Sequence, residues 1–276
     1  MYADDTSLTR ASTDIEQINS RLNHDLSNVY EWLSANKLTL NMTKTAFTLI
    51  PSRQKLSQFM ESSSLTINEN AVEQVTSAKF LGVYVDQNTN WACHIENSLK
   101  VACAIGAMKR IRHLTPFSVL IKVYNRLVQP HFDYCNVVWG NCNKDLSEKL
   151  QRLQNRAART LMSASYGSNL DDFFWALGWR RLYYQRVERK CVQMYKKLNG
   201  MTPDCLRSRF VYLDNVNVYR LRNTENKLVL PQPRTDYLKR SFSYSGAQLW
   251  NNLPVDLRQA TSLTDFKSKL SRHSLK

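Results

Sequence analysis

Two adjacent carboxylates near the start of the chain are the side chains best suited to chemistry. Asp4 and Asp5 directly follow Tyr2 and Ala3. Carboxylate oxygens are ligands that Mg²⁺ prefers, and two-metal phosphoryl transfer needs carboxylates to hold the ions near the attacking and leaving oxygens. A lone Asp-Asp pair, however, more often lies in a solvated turn. The pair therefore predicts a Mg²⁺ site only if the surrounding elements agree with it.

The elements that would position this pair are predicted to form a small region of mixed helix and strand. Apolar residues three or four apart over 15–33 predict a helix that begins at a capping box of Thr13 and Glu16 and ends near Asn36. Gly82, in the last predicted strand, indicates a close backbone approach. Alternating or continuous apolar segments predict strands at 38–40, 46–50, 65–67, around 72 and at 79–86.

Beyond about residue 95 the apolar spacing becomes helical. Only 7 Gly and 7 Pro occur in the 276 residues, which favours long helices. The predicted fold class is therefore α+β, mainly α. Helices are predicted at 95–113, 117–139, 145–163 and 180–199, with a shorter pair around 246–253 and 263–270.

Positive charge is concentrated in the helical part of the chain. The sequence has 38 Lys and Arg against 23 Asp and Glu, a net charge of +15. Residues 1–96 hold 7 basic and 11 acidic side chains, residues 97–200 hold 18 and 6, and residues 201–276 hold 13 and 6. A basic body of this kind indicates a polyanionic partner, although a solvated basic surface is the simpler alternative.

Basic residues at helical spacing are the candidates for contact with nucleic-acid phosphates, because guanidinium groups bind phosphates in bidentate fashion. Interleaved aromatic residues could stack bases, but aromatic residues at helical spacing more often belong to the core. Most of Tyr124, Phe132, Tyr134, Trp139, Tyr183, Tyr184 and Tyr195 are assigned there. The predicted phosphate contacts are Lys109, Arg110, Arg112, Lys149, Arg152, Arg156, Arg159, Arg189 and Lys190.

An ordered series of motifs resembles the later palm of LINE-type, non-LTR retrotransposon reverse transcriptases. The series covers nearly the whole chain, and its order is more specific than any one motif. It consists of Tyr2-Ala3-Asp4-Asp5-Thr6, residues 32–41, Lys44-Thr45, Phe80-Leu81-Gly82-Val83 and then Asp86, Trp91 and His94. The resemblance continues through residues 124–139 and 153–157, and residues 231–267 resemble the C-terminal region of jockey-like elements.

The resemblance implies a domain order and a set of partners. Residues 1–95 would be a partial palm with the primer-grip strand, 96–165 a thumb-like helical bundle and 166–276 a basic helical extension. The parent activity would be RNA-directed DNA synthesis with Mg²⁺, on an RNA template and a DNA primer.

The resemblance also implies roles for individual residues. Asp4 and Asp5 would be metal-site carboxylates, with Asp4 the preferred direct ligand. Lys44 would donate a proton to the departing pyrophosphate, although outside the resemblance an exposed loop lysine is the simpler interpretation. Phe80, Leu81 and Gly82 would position the primer strand, which is compatible with Phe80 and Leu81 also being strand core.

One departure from the family pattern bears on activity. Family polymerases carry a third metal-binding aspartate and the fingers upstream of the Tyr-Ala-Asp-Asp segment, and the present sequence begins at Met1 directly before it. Two carboxylates without a third anchor leave each ion short of ligands. We expect a polymerase fragment that is inactive when isolated.

The remaining residues favour a protein that is not secreted. There is no predicted signal peptide and no apolar run of about 18 residues, so neither a membrane partner nor a secreted location is expected, and the protein is predicted to be cytoplasmic or nuclear. Six widely spaced cysteines without a CxxC pair predict reduced, mostly buried thiols rather than a zinc site or a disulfide framework.

Two other functions and one other outcome remain open on the sequence alone. The chain could be a catalytically dead nucleic-acid-binding remnant, or a helical interaction protein with no nucleic-acid role. A chain that does not fold is the further alternative, because missing palm strands would leave an apolar sheet edge exposed.

Overall fold

The chain divides into two compact units, residues 1–94 and 95–276. The computed structural model describes residues 5–52, 59, 64–215 and 225–273. The described residues are mainly helical, with three small two-stranded sheets. The predicted α+β, mainly α, class is confirmed at that level.

The first unit contains one long helix and short strands. Helix α1 spans Ile15–Ala35, a 3-10 helix spans Met42–Lys44, and helix α2, Ala92–Ser98, begins at the end of the unit. The strands are β1 Ala46–Phe47, β2 Thr66–Ile67, β3 Asn70–Ala71, β4 Glu73–Gln74, β5 Ser77–Phe80 and β6 Val83–Asp86. Strands β1 and β4 pair in parallel, whereas β2–β3 and β5–β6 are antiparallel.

Helix α1 packs against β2 and covers a small core. Leu65, Ile67 and Val72 are buried, and Leu22 and Leu26 of α1 pack against them. The predicted end of this helix at Asn36 is confirmed, but its start is not the capping box of Thr13 and Glu16. Asp14 is the N-cap, and its carboxylate accepts a hydrogen bond from the backbone N–H of Glu16.

The strand predictions were less accurate. Residues 38–40 form no strand, and the strand predicted over 46–50 is reduced to β1. The single strand predicted over 79–86 is wrong, because the chain reverses at Leu81 and Gly82, and β5 pairs with β6. Both turn residues have positive φ, 44° and 81°, as a tight two-residue hairpin turn requires.

The second unit is a helical body. The expected boundary near residue 165 falls inside it. Its helices are α3 Val101–Ile111, α4 Phe117–Leu127, α5 Gln129–Asp133, α6 Asn136–Trp139, α7 Lys144–Leu161, α8 Leu170–Ala176, α9 Leu182–Leu198, α10 Asp204–Arg207, α11 Asp236–Arg240, α12 Phe242–Asn252, α13 Val255–Arg258 and α14 Leu263–Arg272. A 3-10 helix spans Leu213–Asn215.

Helix α9 is the centre of this body. It packs against α6 and α7, which precede it in the chain, and against α12 and α14, which follow it. Its residues Met194 and Tyr195 are buried with Trp250 of α12 and Phe266 of α14. The Phe266 ring stacks 4.7 Å from Tyr195 and 6.0 Å from Trp250, centroid to centroid. The Tyr195 hydroxyl donates to the carbonyl of Ala260 at 3.0 Å, so the aromatic core also satisfies its polar group.

Two further sequence expectations can be compared with the structure. All six cysteines are free, but only Cys191 is buried, so the expectation of mostly buried thiols was wrong. No helix in the described ranges combines the length and the apolar character needed to cross a lipid bilayer.

Candidate nucleic-acid interface

Helix α7 positions a row of basic side chains along one flank. The helix begins at Asn143, whose side chain accepts from the backbone N–H of Leu146 at 2.9 Å. Residues of its opposite flank are buried, among them Leu146, Leu150, Ala157 and Leu161. Lys149, Arg152 and Arg156 are exposed, and their spacing of three and four residues places them on one helical face.

Helix α3 adds two more cations beside this row. The guanidinium of Arg156 lies 3.8 Å from the point where a Cβ on Gly106 would stand, so it rests on the α3 backbone. Lys109 and Arg110 follow Gly106 by three and four residues and are exposed in the last turn of α3. We call this region the α3–α7 cationic surface; its members are Lys109, Arg110, Lys149, Arg152, Arg156 and Arg159.

Few carboxylates neutralise the α3–α7 cationic surface. Glu148 lies 3.7 Å from the guanidinium of Arg152 and 3.9 Å from the ammonium of Lys144. All three side chains are exposed, and exposed pairs of this kind contribute only about 0–1 kcal/mol. Within the described residues no ion pair is formed by Lys109, Arg110, Lys149 or Arg156.

The cationic surface ends at an aromatic ring. The guanidinium of Arg159, near the C-terminal end of α7, lies 4.7 Å from the ring centroid of Tyr166. Tyr166 stands in the connection between α7 and α8 and is 88% exposed. Sequence analysis did not select this residue, because it lies outside any periodic segment. The signal that could have found it is an aromatic residue in the turn-forming string Ser165-Tyr166-Gly167-Ser168.

Lys190 does not belong to an exposed surface. It is only 4% exposed, and its ammonium donates to the Oδ1 atom of Asn141. Burial, together with the neighbouring Arg186, lowers the pKa of Lys190 to about 8. The prediction that Lys190 contacts nucleic acid is therefore wrong for this folded chain, because its charge is enclosed between helices.

Arg189 and Arg112 are less available than predicted. Arg189 is half-buried and forms an ion pair with Asp133 at 2.7 Å, and its guanidinium also donates to the Asp133 carbonyl at 3.1 Å. Arg112 follows the end of α3 and is half-buried. Neither residue adds an unpaired, fully exposed charge to the α3–α7 cationic surface.

The predicted metal and proton-transfer residues are only partly described. Asp4 lies outside the described residues, and Asp5 is exposed. Lys44 is the exposed last residue of the 3-10 helix Met42–Lys44. The described part of the chain contains no group of three His, Cys, Asp or Glu residues able to hold a metal ion. The assignment of Mg²⁺ to Asp4 and Asp5 stays a prediction.

The residues predicted as a primer grip lie at the tip of the β5–β6 hairpin. Phe80 is 47% exposed, and Leu81 and Gly82 form the exposed turn. The interpretation of Phe80 and Leu81 as strand core is therefore wrong. An exposed aromatic side chain at a hairpin tip is available for contact with a ligand, which leaves the predicted primer contact as a hypothesis.

Three residues that contributed to the family resemblance have structural roles. The buried carboxylate of Asp86 accepts from the backbone N–H groups of Asn88 and Asn90 at 3.1 Å, and from that of Trp91 at 2.8 Å. It thereby holds the turn that joins β6 to α2. His94 is buried, and its Nδ1 atom lies 3.5 Å from the backbone nitrogen of Tyr84. Burial lowers the pKa of the His94 imidazole.

Comparison with protein-family models, with curated proteins and with solved structures found no match. The function of the α3–α7 cationic surface is therefore inferred from its charge, its geometry and the motif resemblance.

Proposed function

We propose that the α3–α7 cationic surface binds the phosphate backbone of an RNA–DNA duplex, as the strand-holding part of a LINE-type reverse transcriptase. The proposal rests on the row of Lys149, Arg152 and Arg156, which is exposed on one flank of α7. Within the described chain, Glu148 is the only carboxylate that forms an ion pair with this row. Like charges that repel one another in the folded state favour a polyanionic ligand.

The length of the row suits a nucleic-acid strand. Lys149 and Arg156 are seven positions apart on the helix, a rise of about 10 Å. One strand of a duplex carries a phosphate every ~3.4 Å of axis, so the row spans about three phosphates. Binding by phosphate contact releases counterions and gives a steep dependence on salt without a preference for sequence.

Strand holding and metal chemistry are assigned to different residues in this proposal. Asp4 and Asp5 would bind Mg²⁺ and serve RNA-directed DNA synthesis, as the resemblance implies, and the cationic surface would bind the duplex. Replacing Asp4 and Asp5 with Ala should therefore leave duplex affinity unchanged. We expect no primer extension from the isolated chain. Robust extension that is lost in the Asp4 and Asp5 variant would show instead that the chain is an active polymerase rather than a catalytically dead binding protein.

The direct test removes two charges from the surface. We expect Lys149→Gln with Arg156→Gln to weaken binding of a fluorescent RNA–DNA duplex about tenfold and to reduce the salt slope, log K against log salt, by about two. Fluorescence anisotropy with the full chain, between about 50 and 200 mM salt, measures both quantities.

A matched variant removes the same charge elsewhere in the second unit. Lys267 and Arg272 are exposed on α14, and Lys267→Gln with Arg272→Gln should change the duplex affinity much less. Equal effects of the two double variants would argue for unspecific attraction. Failure of the unmodified chain to bind the duplex at low salt would overturn the proposal in favour of a helical interaction protein.

A further inference from the structure

The segment between α7 and α8 holds Tyr166 at the tip of a hydrogen-bonded turn. The backbone N–H of Ser168 donates to the carbonyl of Ser165 at 3.4 Å, and the two serine hydroxyls lie 3.1 Å apart. The N–H of Ala164 donates to the carbonyl of Arg159 at 3.0 Å, which connects the segment to the last turn of α7. The turn that carries the Tyr166 ring is therefore connected by a backbone hydrogen bond to the last turn of α7, where the cationic row ends.

The two faces of the Tyr166 ring have different surroundings. One face carries the guanidinium of Arg159, 4.7 Å from the ring centroid, in a cation–π contact. The ring is 88% exposed, so its opposite face is open to solvent. Within the described residues Arg159 forms no ion pair. Its side chain is half-buried and its Nε atom is buried, so phosphate contact is assigned to the exposed cations that precede it on α7.

An open aromatic face beside phosphate-binding cations suits an unpaired base. Stacking on an aromatic side chain needs a base whose face is accessible, which a base inside a duplex does not offer. We propose that Tyr166 stacks an unpaired base, so that the ligand of this surface is a duplex with a single-stranded extension. This inference rests on the proposed duplex binding and adds the form of nucleic acid that the surface prefers.

Trp175 is a weaker candidate for the same role. It is 87% exposed on α8, but Asp171 and Asp172 stand four and three residues before it, on the same helical face. Asp171 is paired with Arg181 at 2.7 Å, but Asp172 would repel a phosphate backbone beside the indole. Tyr166 instead follows a row of cations, which is why the base is assigned to Tyr166.

The experiment compares two ligands with the full chain. One ligand is a blunt RNA–DNA duplex, and the other is the same duplex with a short single-stranded extension containing 2-aminopurine. We expect the unmodified chain to bind the extended duplex more tightly and to quench the 2-aminopurine fluorescence. Tyr166→Ala should abolish the quenching and weaken binding of the extended duplex about fivefold to a hundredfold, with blunt-duplex affinity unchanged. Because Tyr166 is exposed, this substitution should leave the fold intact.

Tyr166→Phe is the matched control, since it retains the ring and removes only the hydroxyl, and it should behave like the unmodified chain. Equal affinity of the unmodified chain for both ligands, or quenching that survives in Tyr166→Ala, would overturn the stacking inference and leave duplex binding standing. Absence of blunt-duplex binding at low salt would overturn the proposed function itself.

Discussion

The buried cations of α9 show how little a residue's type says about its surroundings. Arg186 and Lys190 are 3% and 4% exposed, and no carboxylate forms an ion pair with either within the described chain. The Arg186 guanidinium donates to the Ser147 hydroxyl and lies over the Trp139 ring, 5.9 Å from its centroid. Burial lowers the pKa of both groups, and the positive charge of Arg186 lowers the pKa of Lys190 further.

This burial predicts a pH dependence of stability. The pKa of Lys190 is about 8 in the folded chain, against 10.5 ordinarily. Between these values the unfolded chain binds more protons than the folded one, so the free energy of unfolding should rise as pH increases from about 8 to 10.5. Below pH 8 Lys190 is protonated in both states, and the cost of enclosing its charge is fully present.

Lys190→Met removes this titration. Over the same pH window the unmodified chain should gain on the order of 2–3 kcal/mol relative to the variant. Urea unfolding at several pH values measures the difference and cancels the titration of groups that do not interact with Lys190; adding Cys142→Ser and Cys191→Ala to both proteins removes the two thiols that do. Parallel pH profiles of the two proteins would contradict the assignment.

At the scale of secondary-structure elements, Gly140 shows how one missing side chain lets helices meet. A Cβ at this position, just after α6, would collide with the carbonyl oxygen of Asn136 and would lie 3.0 Å from the Cδ atom of Arg186. The absence of that carbon leaves room for the Arg186 stem between α6 and α7. The nearby carbonyl is backbone and cannot rotate away as a flexible side chain could.

Gly140→Ala should therefore destabilise the second unit by about 1–3 kcal/mol, because the extra carbon overpacks a closed contact. Gly167→Ala is the control: nothing lies within 4 Å of the added carbon, and its effect should remain within about 0.5 kcal/mol. Chemical unfolding of the two full-length variants tests this contrast. A Gly140→Ala protein as stable as the Gly167→Ala protein would show that the junction of α6, α7 and α9 can adjust.

The sequence predicted elements best where a single apolar face determines them. Helices α7 and α9 were predicted within about two residues of their observed ends. The β5–β6 hairpin was predicted as one strand because Leu81 adopts positive φ without being Gly, Asn or Asp. Helix α8 was missed although Asn169, Asp171 and Asp172 form a typical helix start.

The exposure of the candidate residues agrees with the sequence-based expectation only where one side of a helix is covered. Lys149, Arg152 and Arg156 are exposed because α7 leaves one flank uncovered. Helix α9 is contacted by helices that precede it and by helices that follow it in the chain. More of its circumference is therefore buried than its apolar residues alone would cover, and Lys190 lies in the buried part. The width of a buried arc depends on tertiary partners, which periodicity in one segment does not reveal.

At the scale of the whole molecule, the two units differ greatly in buried core. Eight residues of α9 are buried, whereas none of the 21 residues of α1 is. In the first unit, the described cluster beside α1 contains only Leu65, Ile67 and Val72 with partly buried neighbours, and Val83 and Trp91 are buried elsewhere. Local opening should therefore need much less free energy in the first unit than in the second.

Amide hydrogen exchange measures this difference. We expect amides in the middle of α9 to exchange at least about a hundredfold more slowly than those in the middle of α1. Equal protection of the two helices would indicate that the first unit is stabilised by contacts beyond its small described core. If only the second unit is protected, the α3–α7 cationic surface, and with it the proposed duplex binding, should persist when the first unit opens.

The position of α9 has a consequence for how the second unit can vary. This helix contacts α6 and α7 and also contributes side chains to the core that contains α12 and α14. The segments before and after α9 therefore cannot be exchanged independently of each other. Asn141 reinforces this, since its side-chain amide donates to the Arg240 carbonyl and the Ser245 hydroxyl, both at 2.7 Å. Recombination between diverged relatives with a crossover near residue 165 would pair mismatched surfaces along α9, and hybrids of that kind should be selected against.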